Sequence, residues 1–76
     1  MSESRRSVTD LVGLLSPSLG DEKAREVVTS AAAAIGLHDQ VIDRQQALVV
    51  LEHIARASGL VGITARFAKT HIHLKW

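Results

Sequence analysis

The amino-acid sequence predicts a small all-α domain of four helices with a short C-terminal tail. Three observations carry that expectation. Apolar residues recur at three- and four-residue spacing through most of the 76 positions, as the buried face of a helix requires. Turn signals separate these stretches: Pro17-Ser18-Leu19-Gly20, Gly36 and Ser58-Gly59. The apolar content is almost wholly aliphatic, with nine Leu, eight Val and five Ile against one Phe and one Trp, so aliphatic side chains must fill the core.

The first six residues are polar and are expected to fray. Ser7, with Asp10 three positions on, forms a weak helix-start box ahead of Val8, Leu11, Val12 and Leu15. Pro17 disfavours the α conformation at Ser16, which places the end of the first helix at Leu15, over residues 8–15. The second helix spans residues 21–35. Asp21 and Glu22 suit its positive end, Ala24, Val27, Val28, Ala31 and Ile35 line its buried stripe, and Gly36 caps it.

The third helix has the best-specified start in the chain. Asp43 can accept the amide of Gln46, Gln46 can reach back, and Ile42 can staple onto Ala47. It runs over residues 44–57 and ends at Ser58-Gly59. A fourth helix follows over residues 62–69, with Gly62 costing it about 1 kcal/mol relative to Ala. Residues 71–76, His-Ile-His-Leu-Lys-Trp, alternate polar and apolar, so this tail either continues the helix or forms a strand. The expected core is Leu11, Leu15, Val27, Val28, Ala31, Ile35, Leu48, Leu51, Ile54, Ile63 and Phe67.

A single domain of this size buries only about 60% of the surface of its unfolded chain. With no Cys, neither disulfides nor a thiolate metal site can reinforce it. Residues 1–50 carry five basic and seven acidic groups, and residues 51–76 carry four basic and one, so the net +1 divides into −2 and +3. The C-terminal third is therefore mildly basic. No apolar run is long enough to span a bilayer, and the start has no apolar segment of signal type, so the chain is expected to be cytoplasmic with no membrane partner.

Catalysis is not expected, because no nucleophile elbow, phosphate-binding glycine loop or paired general acid and base is present. Nor is a cofactor or a small-molecule substrate. His71 and His73 would share a face of an extended tail, but two imidazoles without a further ligand do not make a metal site, and none is assigned. His53, beside Glu52, reads as an ordinary helix residue.

Two functional expectations remain. Ile54, Ala55, Gly59 and Leu60 fit the hydrophobic, small and turn-glycine positions of a two-helix junction, and residues 51–69 thereby resemble the helix-turn-helix motif of DNA-binding proteins. That resemblance implies a second helix in the major groove, with Arg56, Thr64, Arg66, Lys69 and Lys75 as nucleic-acid contacts. The chain departs from the motif at Ser58, where an apolar residue is usual, and at Val61-Gly62-Ile63, where base-reading side chains belong. The leading expectation is instead a protein-interaction or regulatory adaptor module. It would self-associate, as a dimer, and bind another protein through Leu60, Val61, Ile63, Ile72, Leu74 and Trp76, since a thin aliphatic core leaves apolar surface to cover.

Overall fold

A computed structural model describes residues 5–76. Four helices make up the fold: α1 (Val8–Leu19), α2 (Asp21–Ala34), α3 (Arg44–Ala55) and α4 (Gly59–Lys75), with two short strands, β1 (Arg6–Ser7) before α1 and β2 (Val41–Ile42) before α3. The all-α expectation holds. The helices pack in a ring in which each touches the next and α4 closes on α1. Among the described residues no helix is long and apolar enough to cross a membrane.

The expected fraying of residues 1–6 lies outside the described residues for 1–4, and Arg6 departs from it. Arg6 pairs antiparallel with Ile42, and Ser7 with Val41. The Val8 amide also bonds the Gln40 carbonyl at 2.8 Å, so the polar connection before α3 supplies backbone partners to the start of α1. Ser7 caps α1, its Oγ accepting the Thr9 amide at 3.1 Å.

Contrary to the expected stop at Leu15, α1 continues through Pro17 to Leu19. A proline one turn from a helix end removes only one hydrogen bond, here the one to the carbonyl of Gly13, which is solvent-exposed. The Ser16 hydroxyl bonds the Val12 carbonyl at 2.8 Å, and Leu19 packs against the core, which rewards the extra turn. Gly20 then ends the helix at φ 88°.

At the end of α2 the Gly36 amide donates to Ala33 O (3.1 Å) and the Leu37 amide to Ala32 O (2.8 Å), the paired bonds of a glycine C-cap. The start of α3 also forms as its sequence implies. Gln46 N donates to Asp43 Oδ1 at 2.8 Å, Asp43 N donates to Gln46 Oε1 at 3.0 Å, and Ile42 and Ala47 are both fully buried.

The junction between α3 and α4 is tighter than expected. Rather than ending at residue 57, α3 ends at Ala55, and α4 starts at Gly59 instead of residue 62. Gly62 permits this. A Cβ there would collide with the Ala57 carbonyl and stand 3.1 Å from that of Ala55, so the residue that weakens the helix locally lets its first turn seat on the end of α3.

Nor is the tail a strand. The final residues extend α4 to Lys75, because Ile72 continues the buried row of Ala65 and Ala68 at helical spacing. The core consists of Leu11, Val12 and Leu15 from α1, Ala24, Val28 and Ala31 from α2, Ile42, then Ala47, Val50, Leu51 and Ile54 from α3, with Ala65, Ala68 and Ile72 from α4. Three expected members are exposed instead: Ile35, Ile63 and Phe67. Ile35 falls at the C-cap, where the chain turns away. Ile63 and Phe67 lie outside because the rotational setting of α4, with Gly62 seated on the end of α3, turns Ala65, Ala68 and Ile72 inward. Val27 and Leu48 are half-buried against the core.

Candidate functional site

Because α4 is continuous for 17 residues, about 25 Å, the positions of its side chains follow from 100° of rotation per residue. Ala65, Ala68 and Ile72 face the bundle. On the other side, Leu60, Ile63, Phe67 and Leu74 fall within an arc of about 60°. Their exposures are 57%, 48%, 73% and 76%. Leu60, Phe67 and Leu74 are spaced by seven residues each, and Ile63 and Thr70 occupy the intervening positions. This is the three-and-four alternation by which one helix packs along another. The helix is thus apolar on two faces, and the bundle uses one.

Of the residues expected to form a contact surface, Leu60, Ile63 and Leu74 lie on this outer face. Ile72 does not. It is fully buried, because the helical course of the tail turns it inward. Val61 and Trp76 are half-buried and packed against the core, so neither is a free contact residue. The Trp76 ring lies under the Arg6 guanidinium, 5.4 Å from its centroid, and the Arg6 Nη2 donates to the Lys75 carbonyl at 3.4 Å. The Nε1 atom of Trp76 is buried without a hydrogen-bond partner. Phe67, absent from the expected surface, lies at its middle. The seven-residue interval that would have revealed it is meaningful only if the helix runs unbroken from Leu60 to Leu74.

The chain has no match among family models, curated proteins or solved structures. Its own chemistry must carry the functional reading.

The residues of the nucleic-acid expectation separate. Thr64 is buried and cannot reach a base edge. Arg56, Arg66 and Lys69 border one surface depression with Glu52 and Ala55. Within it, Lys69 Nζ donates to both Glu52 carboxylate oxygens at 3.2 Å, a cross-helix pair that neutralises one of the three cations. Lys75 lies beside Arg6, His71 and Trp76 around a different depression. The exposed side of the would-be recognition helix carries the apolar stripe beside Arg66, Thr70, His71 and His73.

His71 and His73 do not share a face once the tail is helical, because two residues turn about 200°. Arg44 Nη2 lies 3.4 Å from His73 Nδ1 and donates to the His73 carbonyl at 3.3 Å, tying the start of α3 to the end of α4. Among the described residues no three His, Asp or Glu side chains come together as metal ligands. A groove of about 360 Å³ between α3 and α4 is lined by Leu48, Val49, Glu52, His53, Lys69 and others, with its carboxylate already engaged by Lys69.

Proposed function

We propose that this protein is a non-enzymatic protein-interaction module whose docking surface is the outer face of α4. The observation that carries the reading is the second apolar stripe, Leu60-Ile63-Phe67-Leu74, on a helix whose inner face is already buried. Single exposed apolar residues are ordinary. Four in register along one helix form a contiguous patch of the kind that marks interaction sites. The row that seats α4 on the bundle is a different one, Gly62, Ala65, Ala68 and Ile72.

The natural occupant of such a stripe is another amphipathic helix, laid along α4 with its apolar residues between Leu60, Phe67 and Leu74. Among residues 59–75 there is no acid, while Arg66, Lys69 and Lys75 are basic, so glutamate flanks on the incoming helix complement the site. A designed peptide of that pattern, titrated calorimetrically, is the test. Wild-type protein is expected to bind it, and Leu60→Glu with Phe67→Glu is expected to abolish binding while helicity is retained. Equal binding by the double variant would refute the reading.

A DNA-binding reading retains one supporting observation, the grouping of Arg56, Arg66 and Lys69. It ranks second because Lys69 is paired with Glu52, Thr64 is buried and the outward side of α4 carries an apolar stripe.

A further inference from the structure

We infer that Arg56 and Arg66 form a carboxylate-binding site along one edge of the α4 docking face, so that the partner helix carries its acid on the edge that overhangs α3. This rests on the docking reading above and goes further by assigning the residues that recognise the partner's charge.

The two edges of the stripe differ. Counted at 100° per residue from Phe67, Arg66 and Lys69 turn to one side of it, and Thr64, His71 and Lys75 to the other. The first side is the α3 side, because Lys69 Nζ donates to the Glu52 carboxylate of α3. A depression of about 420 Å³ lies there, bordered by Glu52, Ala55 and Arg56 at the end of α3 and by Arg66 and Lys69 of α4. Three cations and one carboxylate give it a formal charge of +2. Lys69 is engaged by both Glu52 oxygens, whereas Arg56 and Arg66 are exposed and make no ion pair among the described residues. The other edge is weaker. From Leu60 to Phe67 it carries no charged residue, and at its far end Lys75 shares a depression with Asp10 while the Arg6 guanidinium lies over Trp76.

The chemistry of the two free cations selects the ligand. A guanidinium presents paired N–H groups that match the two oxygens of a carboxylate, and it keeps its charge at every physiological pH. Arg66 follows Ile63 by three residues and precedes Thr70 by four, so it is their neighbour on the helix surface, directly beside the stripe. A glutamate flanking the apolar row of an incoming helix therefore reaches Arg66 while that row covers Ile63 and Phe67, and Arg56 approaches the same depression from α3. A phosphodiester backbone would meet the same cations but leave the stripe beside them uncovered. An acidic amphipathic helix fits both.

Two peptides of one apolar heptad pattern test the site, one with glutamate flanks and one with glutamine in their place, titrated calorimetrically at low salt. The wild-type chain is expected to bind the glutamate peptide about five- to tenfold more tightly, the worth of two exposed ion pairs. Arg56→Gln with Arg66→Gln is expected to remove that preference and to keep glutamine-peptide binding within about twofold of wild type, since the long stems are preserved. Lys75→Gln, on the other edge, is expected to lose less of the preference. A preference that survives the arginine double variant, or that Lys75→Gln lowers as much, would overturn the site. Equal binding of the two peptides by the wild-type chain would also overturn it and leave the docking reading standing, because that reading needs only the apolar row. Binding of neither peptide would overturn both.

Discussion

Gly62 sits so close to the Ala57 carbonyl that no Cβ fits between them. The contact fixes the tight turn between α3 and α4 and, with it, the rotational setting of α4. That setting determines which of its two apolar rows faces inward.

Gly62→Ala is therefore expected to destabilise the fold although it favours the helix. The propensity gain is about 1 kcal/mol, whereas forcing a methyl against the backbone carbonyl of a packed turn costs about 1–3 kcal/mol or more. Gly13 is the control: it is exposed in mid-helix with nothing within 4 Å of a built Cβ. Gly13→Ala should stabilise by about 0.5–1 kcal/mol. Urea denaturation of the two variants should move the midpoint in opposite directions.

The Asp43–Gln46 box is the strongest local device in the chain, since each residue satisfies the other's backbone amide. Asp43→Ala is expected to cost about 1 kcal/mol, within the usual range of about 0.5–2. Asp43→Asn, which keeps an acceptor, is expected to lose much less. Thermal melts of both variants check this.

The inner and outer rows of α4 should respond oppositely to truncation. Ile72 is fully buried, and Ile72→Ala is expected to cost about 2–5 kcal/mol. Phe67 is the larger side chain, but it lies outside. Phe67→Ala is expected to change stability by less than about 0.5 kcal/mol. The reverse order would mean that α4 is rotated from the setting described.

Sequence patterning revealed the local devices of this fold better than its packing. The Asp43 box and the Gly36 cap are short-range hydrogen-bonding patterns, and both formed where the residues imply, with Ile42 and Ala47 buried beside the box. The course of α1 past Pro17 and of α4 past Lys69 was not legible, because burial of Leu19 and Ile72 by distant elements outweighs local preference there. The β1–β2 pair was equally hidden, being two residues long and joining segments far apart in sequence. The same limit affected the candidate surface. Helical spacing alone puts Ile63 and Phe67 in the core, with Ile63 also at the contact surface, and the alternating tail puts Ile72 at that surface, whereas the seating of α4 at Gly62 turns Ala65, Ala68 and Ile72 inward. Once α4 is seen to be continuous, the interval from Leu60 through Phe67 to Leu74 is plain in the sequence.

Duplex DNA is expected to bind weakly or not at all. The basic group at Arg56, Arg66 and Lys69 includes a neutralising Glu52. Anisotropy of labelled random duplex should show no salt-sensitive binding at micromolar protein between about 50 and 200 mM salt. Steeply salt-dependent binding that disappears in an Arg66→Ala, Lys69→Ala double variant would promote the DNA-binding reading.

The docking surface can be located most directly by amide chemical-shift mapping of the labelled protein as the glutamate-flanked peptide is added. The expected result is a set of perturbations running along α4 at Leu60, Ile63, Phe67 and Leu74, with α2 unaffected. Perturbations confined to Arg56 and Arg66, centred on the α2 surface, or on no residue at all would contradict the assignment of the outer face of α4 as the site of interaction.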